Sequence, residues 1–321
     1  MKNLIPITLA ATFVASGISS AQTPAYSKPS GYVTQPLIQG FNPVGFTLQQ
    51  PITTSGTFTA VSASSTSDST KNFTSLLVAG ATYTLEITSG TAVNQVVEIV
   101  SFAGSQLNTV DNLVTAGALN GNSYAIRKAS TLEEIFGTTD SVLTKNNSVN
   151  NADLVWIPNG SGGYTRYFQN AAGAWRNATS PSLAPNTPVI YLDAAFIQRR
   201  AATPVDLVTA GQVITRPSKS AILNGFNFIS TVFPVGSTLQ NVGLDGSLTR
   251  NNSVNNADIV WVPNGMGGYT RYFLNATGGW RNATNPGLVT TDVPITTAIF
   301  IQRKTTATSI TLTPPPAYSS L

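Results

Sequence analysis

Two copies of one segment decide how this chain is organised. The first copy reads NNSVNNADLVWIPNGSGGYTRYF and covers residues 146–168, and the second reads NNSVNNADIVWVPNGMGGYTRYF and covers residues 251–273. Extended to residues 146–179 and 251–284, the copies align without a gap and agree at 28 of 34 positions. Solenoid repeats have periods of roughly 20 to 50 residues, so the longer spacing here indicates two duplicated domains.

Each copy predicts a β-hairpin. A short run of β-branched and aromatic residues stands before Asn-Gly and two further glycines, and a second such run follows. Asn-Gly between two such runs is a hairpin turn signal. Pro158 and Pro263 would end the first strand of each hairpin, because proline donates no hydrogen bond to a ladder. The preceding NNSVNNAD would be a turn, since Asn and Asp bond to nearby backbone.

Weaker matches place the two hairpins in larger units. Upstream, LIQGFN at 37–42 matches ILNGFN at 222–227, and downstream FIQRR at 196–200 matches FIQRK at 300–304. We therefore predict five segments: a signal peptide at 1–21, an N-terminal arm at 22–36, unit one at 37–204, unit two at 205–312 and a tail at 313–321. Unit one contains an inserted β-rich subdomain at 52–130, because that stretch has no counterpart in unit two.

The residue pattern favours strands throughout. Many short β-branched and aromatic runs alternate with Gly, Asn and Pro, as is typical of β-sandwiches and barrels. We predict an all-β protein of two tandem sandwich-like or barrel-like units. It has one short helix in STLEEIFG, where Ser130 would be the cap, Glu133 would complete a capping box and Gly137 would end the helix.

The first residues predict export from the cytoplasm. Lys2, the apolar run at 4–14 and the small residues at 19–21 have the order of a secretory signal peptide cleaved after Ala21. No later apolar run approaches the roughly 18 to 20 residues of a membrane helix, so we expect no membrane insertion. We expect the mature chain outside the cell or at the cell surface.

Composition narrows the choice of partners. Only 9% of the residues are charged and 41% are hydrophobic, which argues against a disordered chain. Removing Lys2 from the 17 basic residues leaves 16 against 13 acidic residues, a net charge of +3. This charge is small and scattered, so nucleic acid is not an expected partner.

The available side chains argue against an enzyme. The chain has no His and no Cys, which excludes imidazole-based triads, thiol nucleophiles, His-ligated zinc and disulfides. Glu133 and Glu134 are the only adjacent acids, and they complement the dipole of the predicted helix. The glycines of the hairpin turns lack the lysine and helix of a phosphate loop. We therefore predict no catalytic residue, no cofactor and no metal site.

Asp153 and Asp258 occupy equivalent places just before a predicted strand. The favoured interpretation is a duplicated turn-fixing aspartate that bonds to its own loop. The alternative is a calcium site in which Asp153 joins Asn150 and Asn151, since calcium accepts carboxylate, amide and carbonyl oxygens. The several spaced acids of a calcium loop are missing from the sequence.

Aromatic and arginine side chains recur in both copies. The candidates for a ligand or interface surface are Trp156, Tyr164, Arg166, Tyr167, Trp175, Arg176, Trp261, Tyr269, Arg271, Tyr272, Trp280 and Arg281. The favoured interpretation is that the rings fill a small β core, with arginines over them in cation–π contacts. The alternative is a set of platforms that stack on sugar rings.

Both ends of the mature chain contain a strand-like piece beside prolines. The candidates for an assembly strand are Tyr32 and Val33 in the arm, and Ile310 and Leu312 before the tail. Either piece could add to the sheet edge of a neighbouring copy. Head-to-tail contacts of this kind produce open fibres unless the rotation closes.

A series of short motifs runs along nearly the whole mature chain. In order they are YTLEITSGT, VDNL, YAIRKASTLEEIFG, ADLVWIPN, YTRYF, WRNAT, VIYLDAAFIQRR and LNGFNFISTVFPV. This order resembles a family of secreted bacterial proteins of unknown function, found as paralogous sets in Verrucomicrobia. The resemblance implies export, β-structure and the tandem frame, and it implies no catalytic residue. The NNSVNNAD segments depart from the looser turns of that family.

Two functions fit these observations. We predict a secreted, non-catalytic structural protein of the cell surface or extracellular matrix, whose main partner is a further copy of itself in a filament, sheath or layer. The alternative is a monomeric adhesin or carbohydrate-binding protein that holds a cell-surface glycan on its repeated Trp, Tyr and Arg surfaces.

Overall fold

The computed structural model describes residues 28–160, 162–180, 182–184, 187–190, 194–296 and 298–321. The predicted signal peptide and the first part of the predicted arm lie outside these residues. Within them strands dominate, and the predicted all-β class is confirmed. Two short α-helices are present, and no helix in the described ranges has the length and apolar character to cross a membrane.

Along the chain, the elements of the first repeat lie on both sides of the insertion. The strands of the first repeat are β1 Ser30–Leu37, β2 Gly40–Gly45, β10 Ser130–Thr131, β11 Leu154–Pro158, β12 Tyr164–Gln169, β13 Trp175–Asn177, β14 Pro188–Val189, β15 Ala194–Arg199 and β16 Val205–Gln212, with helix α2 Leu132–Phe136. The insertion contains β3 Ile52–Thr57, β4 Ala60–Val61, β5 Ser65–Ser67, helix α1 Phe73–Leu76, β6 Tyr83–Ile87, β7 Val96–Ala103, β8 Gln106–Thr109 and β9 Ser123–Lys128.

The second repeat has the same arrangement without an insertion. Its strands are β17 Ser218–Ile222, β18 Gly225–Ser230, β19 Ile259–Pro263, β20 Tyr269–Leu274, β21 Trp280–Asn282, β22 Ala298–Arg303 and β23 Thr308–Leu312. Two 3₁₀ turns, at Leu244–Gly246 and Pro316–Ser320, complete it.

Each repeat is built on a five-stranded antiparallel sheet. The strand order is β13-β12-β11-β15-β2 in the first repeat and β21-β20-β19-β22-β18 in the second. The predicted hairpin forms the middle of each sheet, because β11 pairs with β12 and β19 pairs with β20. In register, Trp156 lies opposite Arg166 on one side and Phe196 on the other, and Trp261 has the equivalent neighbours.

Each repeat also has a two-stranded ribbon, and these ribbons place the boundary between the repeats later in the chain than predicted. β1 pairs with β16 in the first repeat, and β17 pairs with β23 in the second. Residues 205–212 therefore complete the first repeat, whereas we predicted that the second unit begins at 205. The alignment of the two copies ends at Arg200. The pairing of β16 with β1, which is far away in the chain, has no local sequence signature, so the sequence did not show that 205–212 belong to the first repeat. The boundary lies between Gln212 and Ser218.

The ribbons also account for both ends of the described chain. The strand-like piece of the arm is β1 and that of the tail is β23, so each predicted assembly strand is already paired within the chain. Ile310 and Leu312 are buried in the core of the second repeat. Their assignment to an assembly surface is corrected, because these side chains are not accessible to another copy. Tyr32 is 75% exposed on β1.

The insertion forms a seven-stranded antiparallel sheet in the order β3-β9-β6-β7-β8-β5-β4, with its own hydrophobic core. Phe58 stacks on Tyr124 there, with 4.8 Å between ring centroids. The insertion is fastened to the segment between the repeats, since Arg216 donates through two nitrogens to the buried Glu86 carboxylate. A bidentate pair of this kind fixes orientation as well as position.

Helix α2 begins one residue later than predicted. Thr131 is its cap: the Thr131 hydroxyl accepts from the Glu134 backbone N–H at 3.2 Å, and the Glu134 carboxylate accepts from the Thr131 N–H at 3.0 Å. Ser130 lies in β10, so Ser130 and Glu133 do not form the capping box. Serine and threonine both favour the cap position, and the sequence alone did not separate these neighbours. Gly137 follows the helix with φ +76°.

Candidate functional site

Asp153 and Asp258 form the same buried clamp in the two repeats. The Asp153 carboxylate accepts from the Thr144 N–H at 2.8 Å, from Arg200 N–H at 2.6 Å and from Arg199 Nη1 at 3.0 Å. Asp258 accepts from the equivalent Thr249, Lys304 and Arg303 at 2.8, 2.7 and 2.5 Å. Each clamp therefore ties the loop before the hairpin to the end of the last sheet strand.

These contacts favour the turn-fixing interpretation over the calcium interpretation. Both oxygens of Asp153 are occupied by hydrogen bonds from the protein. The arginine partner comes from the repeated FIQRR and FIQRK motifs, which the sequence analysis used only to align the copies. Within the described residues, no group of three or more acidic, His or Cys side chains is placed to hold a metal ion.

The asparagines of NNSVNNAD hold neighbouring loops together. The Asn146 side chain accepts from the Ser148 N–H at 2.8 Å, and Asn147 accepts from the Ala171 N–H, 24 residues away, at 3.0 Å. In the second copy the Asn252 side chain accepts from the Ala276 N–H at 3.1 Å. The duplicated segment is therefore a structural loop that fixes the strands around each hairpin.

The predicted aromatic and arginine set divides between two faces of each sheet. One face is the repeat core, into which Trp175 and Trp280 are buried and against which Tyr167 and Tyr272 pack. The opposite face carries the other members by strand alternation: Trp156, Tyr164, Arg166 and Arg176 in the first repeat, and Trp261, Tyr269, Arg271 and Arg281 in the second.

Arginines cover the two tryptophans of the second face. The guanidinium carbon of Arg166 lies 5.2 Å from the ring centroid of Trp156, and that of Arg271 lies 5.3 Å from that of Trp261. These are cation–π contacts. They cover one side of each indole, so neither tryptophan is an open platform for a sugar ring on that side.

The two repeats pack against each other through this same face. Strand β2 contacts β22 while β15 contacts β18, so equivalent strands make reciprocal contacts across an approximate two-fold axis. Phe228 stacks on Phe196 and on Phe300, with ring centroids 4.4 and 4.5 Å apart. A Cβ atom on Gly45 would lie 2.9 Å from Ser230 Oγ, the equivalent position, so the close approach requires glycine.

The approximate symmetry fails at Pro43, which lies beside the axis. Alignment of LIQGFN with ILNGFN places Pro43 opposite Phe228. The aromatic ring of Phe228 fills its side of the interface between Phe196 and Phe300, whereas Pro43 has no aromatic ring to stack there. An open cleft of about 630 Å³ lies on the Pro43 side, and Phe196 and Phe300 line it as well.

Side chains from both repeats form the walls of this cleft. The turn of the second hairpin lines it through Gly265, Gly267 and Gly268, and its aromatic lining is Phe41, Trp156, Tyr164, Phe196, Tyr269 and Phe300. None of the described lining residues is charged. The cleft therefore favours a ligand with apolar faces and no net charge.

Two equivalent tyrosines are among the polar groups of the cleft, which also include Thr34, Gln35, Asn42 and Thr296. Tyr164 packs on Phe196 and Tyr269 packs on Phe300, with ring centroids 5.8 and 5.6 Å apart. Burial raises the pKa of Tyr164, and burial together with the nearby Tyr164 raises the pKa of Tyr269 to about 12. Both phenols are therefore neutral at ordinary pH and can donate a hydrogen bond.

The sequence analysis named three side chains of the cleft, Trp156, Tyr164 and Tyr269, and missed the phenylalanines. Phe196 and Phe300 stand in the FIQRR and FIQRK motifs, and Phe41 stands in LIQGFN. Their recurrence at equivalent places was a visible signal, but it was interpreted only as an alignment anchor.

The chain matches no family model, no curated protein and no solved structure. The resemblance to secreted Verrucomicrobia proteins therefore stays a prediction, and the function is argued from the geometry of the cleft.

Proposed function

We propose that the protein is an exported, non-catalytic binding protein that holds a glycan in the cleft between its repeats. The observation that carries this proposal is an aromatic cleft of about 630 Å³ where the two repeats meet, with no charged residue in its described lining. Ligand sites commonly occupy about 300–1,000 Å³ and lie where structural units join.

The lining of the cleft is a better site for a glycan than the tryptophan–arginine surface of the second repeat, which was among the candidates predicted from the sequence. Sugar rings present apolar C–H faces to aromatic rings and hydroxyls to hydrogen-bonding groups. The cleft offers the aromatic walls together with the hydroxyls of Tyr164 and Tyr269. Trp261, by contrast, does not line the cleft and is covered on one side by Arg271.

Binding to a glycan array, followed by calorimetry with each glycan that binds, tests the proposal. The decisive variant is Pro43→Phe, which places a ring where the equivalent Phe228 already fills the interface. We expect Pro43→Phe to abolish binding while its thermal unfolding stays close to that of the natural chain. Pro43→Ala leaves the cleft open and is the matched control.

A second pair of variants compares the repeats directly. Trp156 lines the cleft and Trp261, its equivalent, does not. Each side chain has an equivalent arginine over its ring, so Trp156→Ala and Trp261→Ala should disturb their sheets to a similar degree. We expect only Trp156→Ala to weaken binding. The proposal would be contradicted if the natural protein bound no glycan on the array, or if both variants lost the same amount of affinity.

Self-association is the second candidate, and one observation favours it. Among the described residues β1 pairs only with β16, so the other edge of β1 carries no strand. Tyr32 is 75% exposed on this strand, and an uncovered edge is a template for pairing with another chain. Light scattering after size-exclusion chromatography should then show oligomers that Tyr32→Lys converts to monomers. A natural protein that stays monomeric at all concentrations would exclude this candidate.

A further inference from the structure

We infer that the cleft selects neutral sugars and holds one sugar ring between Tyr164 and Tyr269. This inference rests on the proposed function and specifies its ligand class and the residues that grip it. Three features of the described residues support it: the placement of the two tyrosine rings in one cleft, their hydroxyls without a protein partner, and a lining without charge.

The two tyrosines face the cleft from equivalent strands of opposite repeats. Tyr164 begins β12 and Tyr269 begins β20, and both line the cleft. Each ring packs on the phenylalanine of its own repeat, and the two tyrosine rings do not contact each other. They are nevertheless close enough to interact electrostatically. Because both rings line the same cleft, a sugar ring bound there can contact both of them.

Neither tyrosine hydroxyl has a hydrogen-bond partner among the described residues. A half-buried phenol without a protein partner gains when a ligand supplies one, because each hydroxyl can both donate and accept. Sugar hydroxyls also donate and accept, so one ring can satisfy both phenols. A hydrocarbon chain would fill the aromatic walls but would leave both phenols unpaired, at a cost.

Among the described lining residues no group could neutralise a charged sugar. Arg166, which is on this face of the first repeat, lies over Trp156 and is not part of the lining. A carboxylate or ammonium group would therefore lose its water without gaining a partner of opposite charge. Uronic acids and amino sugars are therefore excluded from the position between the two tyrosines.

Matched oligosaccharides test the charge requirement. The probes are a methyl-esterified galacturonan oligomer against its free acid, and an N-acetylated chitin oligomer against its deacetylated form, each titrated by calorimetry. For any pair whose neutral member binds, we expect the charged member to bind at least about tenfold more weakly. A charged member that binds as tightly as its neutral partner would overturn the inference while leaving glycan binding intact. When no neutral member of these pairs binds, the array decides: neutral hits support the inference and exclusively charged hits overturn it.

Tyrosine variants test whether Tyr164 and Tyr269 contact the bound sugar ring. Tyr164→Phe and Tyr269→Phe keep the stacking surface and remove one hydroxyl each, so each should weaken binding about three- to tenfold. Tyr164→Ala and Tyr269→Ala remove the ring as well and should weaken binding further. Tyr167→Phe and Tyr272→Phe change equivalent tyrosines on the core face, outside the lining, and are the matched controls. Losses of affinity no larger than in these controls would overturn the inference that the two tyrosines hold the sugar ring.

One further probe separates a glycan from a peptide. Proline-rich peptides also dock in uncharged aromatic grooves, so a short polyproline peptide is titrated against the natural protein and Pro43→Phe. We expect no binding to either. Binding to the natural protein that Pro43→Phe abolishes, with no glycan that binds, would reject both the inference and the glycan proposal and identify the cleft as a peptide site.

Discussion

The two repeats agree in the residues that hold their strands and differ in the residue that shapes the space between them. Both have the Asp–Arg clamp, the asparagine-rich loop and an arginine over a tryptophan. Beside the approximate two-fold axis, however, the second repeat has Phe228 and the first has Pro43. One side of the interface is therefore filled, and the other contains the cleft.

This difference shows how a duplicated domain can acquire one asymmetric site. Two identical copies packed face to face would make the same contact twice, so both sides of the axis would be filled or both would be open. The difference between Phe228 and Pro43 beside the axis separates the two sides. Phe228 provides cohesion between the repeats, and Pro43 leaves the cleft open.

Breaking the clamp should have the largest effect and should affect the repeats equally. Asp153→Ala leaves Arg199 buried without its carboxylate, and Asp258→Ala does the same to Arg303. Removing one partner of a buried ion pair costs about 3–5 kcal/mol, so each variant should lose about that much free energy of unfolding in urea titrations.

Asp206→Ala changes an exposed acid on β16 and should leave stability within about 0.5 kcal/mol of the natural chain. Should only one of the two clamp variants be destabilised, the structural equivalence of the repeats would be contradicted. Should neither be, the clamp would have no role in holding the loops.

Removing the ring of Phe228 should have the next largest effect. This side chain is 8% exposed and stacks on two phenylalanines. Phe228→Ala should therefore cost about 3 kcal/mol, through lost burial and a new cavity. Pro43→Ala, at the equivalent position, borders open space and should cost less than about 1 kcal/mol. Equal losses at the two positions, measured by urea unfolding, would show that the cleft is not a break in the symmetry.

The asparagine loop should give a smaller and symmetric effect. Asn147→Ala and Asn252→Ala each remove the acceptor for a backbone N–H on a neighbouring loop. A hydrogen bond of this kind contributes about 1 kcal/mol. We expect that loss in each variant, together with faster amide hydrogen exchange at Ala171 or Ala276. Unchanged exchange in both variants would contradict the role of the duplicated segment as a tie between loops.

The parts of the fold that depend on local pattern could be predicted from the sequence. Alternating apolar residues around Asn-Gly indicated the hairpins, and the gapless match of the copies indicated the duplication. The seven-stranded sheet spans Ile52–Lys128, inside the stretch recognised as an insertion because it has no counterpart in the other unit.

The parts that depend on long-range pairing could not be predicted. The sequence gives no local sign that β16 returns to pair with β1, and it does not reveal that Arg199 closes on Asp153 across 46 residues. The cleft was hidden for the same reason, since it arises from contact between the two sheets. Tyr164 and Tyr269 were named as candidates, but nothing local distinguished them from Tyr167 and Tyr272, which face the core.

The smallest expected effect concerns the same two tyrosines and appears only at alkaline pH. Folding raises the pKa of Tyr269 to about 12 and raises that of Tyr164, against about 10 for an exposed phenol. Between these pH values the unfolded chain has already lost protons that the folded chain still holds, so stability falls as the pH rises.

The double variant Tyr164→Phe, Tyr269→Phe has no such protons to lose. Its urea midpoint should therefore fall less between about pH 8 and about pH 11 than that of the natural chain, with the difference at pH 8 as the internal control. Parallel declines would mean that the cleft is open enough to ionise both phenols freely, and the case for a sheltered site between the repeats would weaken accordingly.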